Sequence, residues 1–296
     1  MSYVKKLAKR QLITPPHFVV ECTHYETMVG SIAYGVPSDD SDIDIYGFCI
    51  PYKEIVFPHL NGEIYGFGRQ TQRFEQYQEH HVLDKEAKKE YDISIYSIVK
   101  YFQLCMDNNP NMIGSLFTPI RCVLTCTNIG NYVRENRRLF LHKGAWFKFK
   151  GYAFSQVNKM KIKNPEGKRL DLVKKFGYDV KFAYHTVRLL NEVEQILIEH
   201  DLDLERNREQ LKFIKNGGWK EHQIYEYFDS KERELEKVYS KSTLRHSPDE
   251  KAIKDILINC LEMHFGDLHN AIEKPQTVDG LVNDLEDLIK KYKPLH

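Results

Sequence analysis

The chain has 296 residues, of which 42% are hydrophobic and 29% charged, a composition that excludes a disordered protein and allows a full core. Its 43 basic and 42 acidic residues nearly cancel, and no stretch approaches the roughly 18 consecutive apolar residues of a membrane span. The basic N-terminus lacks the apolar core of a secretion signal, and the six cysteines are scattered, so we expect a cytoplasmic protein with reduced thiols.

Short apolar runs separated by turn-forming residues dominate residues 18–124, a pattern typical of a mixed α/β region. These runs predict strands over residues 18–22, 42–48 and 91–96. The turn at residues 37–41 contains Asp39 and Asp40, which we interpret as loop acids.

Helical signals follow the strands. A helix after Ser97 is predicted to end near residue 109, because Pro110 disfavours a helical conformation in the residue before it. Amphipathic patterns predict longer helices over residues 176–200 and 251–269. We therefore predict an α+β fold, with a mixed-sheet head over residues 1–130 followed by a helical region over residues 131–296.

The second predicted strand carries a pair of acids. Asp42 and Asp44 flank Ile43, so on a strand both carboxylates project from one face, about 7 Å apart along the chain. Carboxylates of this kind hold Mg²⁺, and two ions about 3.5–4 Å apart assist an in-line displacement at phosphorus. The pair predicts a site for two Mg²⁺ ions, with Mn²⁺ as an alternative, although Asp-x-Asp after a turn is also common on protein surfaces.

Two further features complete the predicted site. Gly30 and Ser31 stand just ahead of the acid pair, where a glycine lets the backbone approach a triphosphate and the serine hydroxyl donates to its oxygens. Asp92 interrupts an apolar strand pattern, with Ile93 and Ile95 on the opposite face, and is the candidate for a third metal-binding carboxylate. Nearby acids in the sequence are the alternatives to Asp92.

Charge is unevenly distributed along the chain. Residues 141–190 contain twelve Lys/Arg against three Asp/Glu, a local net charge of +9, and aromatic residues are interleaved with them. Basic side chains neutralise phosphates and aromatic rings stack on bases, so the segment suits a polyanionic partner that carries bases. The structural alternative is a solvated basic face over a helical core.

The spacing from Gly30 and Ser31 to Asp42 and Asp44 resembles the nucleotidyltransferase fold of polymerase beta, poly(A) polymerases and CCA-adding enzymes. Three downstream stretches resemble the nucleotidyltransferases encoded beside RNA ligases, the RNA-ligase-associated polymerases: residues 92–102, 108–113 and 175–189. The similarity extends from about residue 18 to about residue 250. It implies a polymerase-beta-type head and assigns the third acid to Asp92.

The resemblance also implies a role for the helical region, which in such enzymes closes over the nucleotide. Tyr178, Lys181, His185 and Arg188 follow three- and four-residue steps on one predicted helix face and are expected to point toward the triphosphate or base. The alternative is a polar helix face paired with neighbouring acids.

The expected function is transfer of a nucleoside monophosphate from an NTP to an acceptor hydroxyl, with release of pyrophosphate. An RNA end, as in RNA repair, is the first candidate acceptor. A protein or small-molecule acceptor is the second reading, and a nucleotide-binding or nucleic-acid-binding module without turnover is the third. The sequence determines neither the preferred NTP nor the oligomeric state.

Overall fold

The computed structural model describes residues 1–37, 42–57, 73–162 and 165–266. Asp39 and Asp40 lie outside the described residues. Within them, the helices are α1 (Tyr3–Lys9), α2 (His17–Glu21), α3 (Lys53–Val56), α4 (Ile98–Met106), α5 (Pro110–Phe117), α6 (Asn128–Glu135), α7 (Ala145–Ile162), α8 (Lys168–Phe176), α9 (Val180–Glu199), α10 (Arg208–Lys215), α11 (Glu221–Lys241) and α12 (Glu250–Phe265). The strands are β1 (Thr23–Met28), β2 (Ile43–Cys49), β3 (Gln76–Asp84), β4 (Lys89–Ser97) and β5 (Val123–Cys126).

The five strands form one mixed sheet in the order β3-β4-β2-β1-β5. β2 and β4 are parallel neighbours, whereas the other adjacent pairs are antiparallel. The strand predictions for residues 42–48 and 91–96 are confirmed, since they fall within or beside β2 and β4. The sheet and the helices that follow it give the predicted α+β architecture.

A hydrophobic core covers each face of the sheet. On one face, Ile45, Ile93 and Ile95 are fully buried and pack with apolar residues of α1 and α2. The other face shares a larger core that continues through α4 and α5 into α7, α9 and α11, with Trp146 among its largest buried side chains. The prediction that Ile93 and Ile95 lie opposite Asp92 is confirmed. The division between residues 130 and 131 stays a prediction.

Two predicted elements differ in the structure, one in its type and one in where it ends. Residues 18–22 were expected to form a strand, but most of them belong to α2, whose Val19 is completely buried against α1. Tertiary packing therefore overrides the strand preference of the valines. The helix predicted over residues 251–269 ends at Phe265, where Gly266 has a φ of +69°, and residues 267–269 lie outside the described residues.

The helix predicted over residues 176–200 begins later, at Val180, and only Phe176 of the predicted range belongs to the preceding helix, α8. Gly177 has a φ of +86° and ends α8, because a left-handed backbone does not continue a helix. The Asp179 carboxylate then accepts hydrogen bonds from the Lys181 and Phe182 amides and begins α9. Among the described residues, no helix is both long enough and apolar enough to cross a membrane.

A buried carboxylate attaches the N-terminal helix to the sheet. Glu26 of β1 is fully buried, and its two oxygens accept hydrogen bonds from the amides of Tyr3 and Val4, at 2.6 and 2.8 Å. These amides belong to the first turn of α1, which has no partners for them within the helix. Glu26 therefore accepts the hydrogen bonds that water would otherwise accept at this helix end.

We expect Glu26→Ala to lower the free energy of unfolding by about 2–4 kcal/mol, because it leaves two buried amides without an acceptor. Urea unfolding of the two proteins measures the difference. Glu21→Ala is the matched control, since Glu21 of α2 forms a partly exposed ion pair with Lys5 of α1 and its loss should change stability little. Equal effects of the two substitutions would contradict this account of α1.

Candidate active site

Two of the predicted carboxylates lie side by side on adjacent strands. The parallel register of β2 and β4 places Asp44 directly beside Asp92. Asp42 stands one residue before β2, and strand alternation directs it to the face that Asp44 occupies. The interleaved Ile43 and Ile45 belong to the core on the opposite face. The three acids selected from the sequence are therefore brought together at the beginning of the two strands.

The environment of Asp44 disfavours its charged form. Burial and the neighbouring carboxylates of Asp92 and Asp42 together raise the pKa of Asp44 to about 6, against the opposing charge of the Lys181 ammonium. A cation beside Asp44 would relieve this repulsion. Mg²⁺ is a hard ion that takes oxygen ligands and commonly combines one or two carboxylates with phosphate oxygens, and its binding here stays a prediction.

Asp92 also contacts a bulge in the neighbouring strand, which the sequence did not indicate. The β3–β4 register shifts between Glu79 and Val82, and His81 there has a φ of +56°. Its amide donates to Asp92 Oδ1 at 2.8 Å, and His80 Nδ1 lies 3.5 Å from the same oxygen. Within the described residues, no group of three His, Cys, Asp or Glu side chains is arranged so that it could hold a metal ion by itself. Substrate oxygens would have to complete one.

The Gly30–Ser31 turn packs against the carboxylates. Gly30 opens a 3₁₀ turn after β1 with a φ of +68°, and a Cβ added there would meet Asp44 Oδ2 at 2.5 Å. The backbone also connects the two motifs, since the Val29 amide donates to the Asp44 carbonyl at 2.9 Å. Glycine is therefore required both by the conformation and by the close approach. Phosphate binding by Ser31 stays a prediction.

A cleft of about 470 Å³ separates the carboxylates from the helical region. Its sheet side is formed by Ser31, Asp42 and Asp44. Its helical side is formed by residues of α8, α9 and the end of α10: Arg169, Asp171, Leu172, Lys175, Phe176, Val180, Lys181, Tyr184, Lys215 and Asn216. Four of these are basic, so an acidic wall faces a predominantly basic one across the cleft.

Neighbouring side chains and backbone position the basic wall. Arg169 forms an ion pair with Asp179, at 2.8 Å, and its guanidinium lies over the Phe182 ring. Lys215 Nζ donates to the Val36 carbonyl at 2.6 Å. Burial lowers the pKa of Lys215, and the nearby charge of Lys181 lowers it further. An anion in the cleft would offset the repulsion between these two ammonium groups.

The structure separates the four helix residues that the sequence grouped together. Lys181 is exposed and lines the cleft, and its contact with a triphosphate stays a prediction. Tyr178 does not, because it precedes α9 and its hydroxyl donates to the Trp219 carbonyl at 2.7 Å. The prediction that all four share one face toward the triphosphate is therefore corrected, since the turn at Gly177 places Tyr178 elsewhere.

His185 and Arg188 line a second cavity, of about 190 Å³, which Asp44 also borders. This second cavity is formed by Val29, Gly30, Ala33, Tyr34, Asp44, Tyr46, Asn111, Gly114, Thr118, His185, Arg188 and Leu204. Arg188 is buried, and its Nη1 donates to Tyr34 Oη at 2.6 Å and to both oxygens of Glu192 at 3.0 Å. Arg188 therefore does not reach the cleft that Lys181 lines.

Residues 18–259 match the RNA repair pathway DNA polymerase beta family. The chain belongs to this family. The family and the observed architecture confirm the predicted polymerase-beta-like nucleotidyltransferase fold with a helical C-terminal region. No curated protein matches the chain. A solved nucleotidyltransferase-like protein from Exiguobacterium sibiricum 255-15 is similar over 98% of this chain and 80% of that chain, at 9% identity and a TM-score of 0.29.

Sequence reasoning missed several residues of this site. Lys175 and Arg169 lie in the basic segment, so local charge was an available signal, but no motif distinguished them from other lysines and arginines. Lys215 is outside that segment and reaches the cleft only because α10 packs against α9. His80 and His81 approach Asp92 through a bulge that strand periodicity does not reveal.

In the absence of divalent cations, we expect Asp44→Asn to raise the free energy of unfolding at pH 7.5 by about 1–3 kcal/mol. A folded-state pKa of about 6 lies above the usual value of about 3.9, so wild-type stability falls as pH rises from about 4 to about 6. The gain should therefore shrink toward zero at pH 4.

Urea unfolding in chelator across this pH range measures the effect. Asp171→Asn, which removes an exposed carboxylate from the opposite wall of the cleft, is the control and should be nearly neutral. If Asp44→Asn is no more stable than the wild type at pH 7.5, the folded protein does not disfavour the charged form of Asp44.

Proposed function

We propose that this chain is a magnesium-dependent nucleotidyltransferase that transfers a nucleoside monophosphate from an NTP to a hydroxyl at an RNA end and releases pyrophosphate. The observation that carries the proposal is the pairing of Asp44 with Asp92 beside the Gly30 turn, across a cleft from a basic wall. The description of the family as part of RNA repair supports an RNA acceptor.

The triphosphate is proposed to lie in the cleft. Lys175, Lys181 and Lys215 would neutralise its charge, and cations beside phosphate oxygens form strong charge-assisted hydrogen bonds. Ser31 would donate to phosphate oxygens from the sheet side. Since the transferred phosphoryl group spreads charge over its oxygens, positioning and charge neutralisation account for most of the acceleration in such reactions.

Asp42, Asp44 and Asp92 would hold two Mg²⁺ ions, or Mn²⁺ in their place, which supply charge neutralisation and a more acidic acceptor hydroxyl when bound. The chain itself fixes the positions of these carboxylates through the β2–β4 register. The His81 amide further restrains Asp92. No covalent nucleophile is required of the protein in this proposal.

The RNA acceptor is supported by the basic segment at residues 141–190. In the structure, three of its basic residues line the cleft. The aromatic part is supplied by exposed rings of α7, which are suited to stack on unpaired bases: Phe147, Tyr152 and Phe154. Binding of single-stranded RNA should weaken steeply with salt, because phosphate contacts release counterions.

The deciding experiment incubates the full chain with each α-³²P-labelled NTP, Mg²⁺ and a mixed RNA pool, and resolves the products on denaturing gels and thin layers. The Asp42→Asn/Asp44→Asn variant is the negative control. Asp171→Asn is the matched control for loss of a carboxylate from the same cleft and should retain activity.

Label on RNA that is lost in the double variant supports the proposal and identifies the nucleotide. Label on the protein itself, or on a small molecule, would replace the RNA acceptor with the second reading. Absence of transfer to every acceptor, with NTP binding intact in the double variant, would favour a binding module without turnover.

We expect Lys181→Gln to raise the KM for the NTP by about 10–100-fold with a smaller change in stability, because it removes a charge-assisted contact worth about 1.5–3 kcal/mol. Lys150→Gln is the control, since Lys150 lies in the same basic segment but pairs with Glu232 and covers the Trp146 ring. Steady-state kinetics measure both. Similar KM values for the two variants would argue against triphosphate binding in the cleft.

A further inference from the structure

The second cavity touches the cleft at the centre of the proposed chemistry. Asp44 lines both spaces, with Ser31 on the cleft side and Gly30 on the side of the second cavity. Asp44 is one of the carboxylates proposed to hold the metal ions at the reacting phosphorus. A group bound in the second cavity would therefore lie next to the reacting centre, while a pyrophosphate is held in the cleft.

Arg188 leaves a buried donor in the wall of this cavity. Its side chain is only 5% exposed, and the hydrogen bonds to Tyr34 and Glu192 are all made by Nη1. Nε is buried and has no acceptor among the described residues. Buried donors are nearly always paired in folded proteins, so an acceptor on a bound ligand or an ordered water would complete the hydrogen bonding of Arg188.

The charges around the cavity favour a neutral ligand over an anion. The Arg188 guanidinium is already paired with the Glu192 carboxylate. Burial, together with the nearby charge of Arg188, lowers the pKa of His185 well below its usual value, so this imidazole is neutral and offers one donor and one acceptor. Among the residues that line the cavity, Arg188 is the one lysine or arginine and its charge is already paired, so the wall recognises polar groups without attracting negative charge.

The shape of the lining suits a flat ring. Tyr34 and Tyr46 contribute aromatic side chains, and Asn111 contributes an amide that both donates and accepts. Gly114 has no side chain, which keeps the α5 side of the cavity open. Planar heterocycles with acceptors at their edges pack against aromatic rings and pair with amides and guanidinium groups.

We propose that the second cavity binds a nucleobase, with Arg188 Nε donating to an acceptor on the base edge. This inference rests on the proposed function. The base belongs either to the incoming NTP or to the terminal nucleotide of the RNA acceptor, since both nucleosides adjoin the reacting phosphate. The triphosphate remains in the cleft.

Gly114→Leu fills the cavity and is the main test. A Cβ at Gly114 would meet Tyr34 Oη at 3.9 Å, an ordinary contact, so a longer side chain extends into open space. Gly114→Ala is the matched control, because it adds one methyl group at the same position. Arg188→Lys is the second variant, since it keeps the charge beside Glu192 but lacks the Nε donor.

NMR titration gives the affinity of each protein for the four nucleosides and for inorganic tripolyphosphate. The inference predicts that Gly114→Leu and Arg188→Lys weaken nucleoside binding by about tenfold relative to tripolyphosphate, a loss equivalent to one strong polar contact. Gly114→Ala should stay close to the wild type. If the ratio of nucleoside affinity to tripolyphosphate affinity is the same in both variants as in the wild type, the inference is overturned.

Kinetics then distinguish the two sources of the base. A rise in the KM for the NTP, at fixed RNA, assigns the cavity to the incoming nucleotide. A rise in the KM for oligonucleotides that differ only in their terminal base assigns it to the acceptor. The titrations need no turnover, so the two proposals can fail separately. Nucleoside binding that both variants weaken, without any nucleotide transfer, would overturn the proposed function and support this inference. Nucleotide transfer with an unchanged ratio of nucleoside to tripolyphosphate affinity in both variants would support the proposed function and overturn this inference.

Discussion

The parallel pairing of β2 with β4 is the constraint on which the site depends. It sets Asp44 beside Asp92. Because the Gly30 turn packs on the Asp44 carboxylate, the two carboxylates have little freedom to move apart. The arrangement is unfavourable for Asp44, whose pKa is raised. It persists because the alternate residues of both strands, including Ile45 and Ile93, are fully buried in a core that fixes the register. Strain of this kind is typical of functional sites.

The helical region supplies the basic side chains that face the carboxylates of the sheet. α9 begins at the Asp179 cap and passes Asp44 with different side chains facing two different spaces. Lys181, in its first turn, lines the cleft and lowers the pKa of Asp44, whereas Arg188, two turns later, lies in the wall of the second cavity. One helix therefore places Lys181 and Arg188 in the walls of two different spaces that the same carboxylate borders.

Errors in the sequence predictions have a common origin. Hydrophobic periodicity identified α9 correctly but continued it through Gly177, where a left-handed residue ends α8. For that reason, the prediction that Tyr178 shares a helix face with Lys181, His185 and Arg188 was wrong. In the same way, the valines of α2 suggested a strand because local preference does not report packing against α1. Each error occurred where a turn or a distant contact, and not the apolar pattern, decided the backbone.

The sequence by itself determined the two strands that carry the acids, the common face of Asp42 and Asp44, and the need for glycine at position 30, because these follow from two-residue periodicity and from the close backbone approach that glycine allows. Only the tertiary structure decided that Asp92 stands beside Asp44, that Lys215 joins the basic wall, and that Arg188 is buried in a separate cavity. These relations join residues far apart in the chain, and they arise from strand pairing and helix packing that local spacing does not encode.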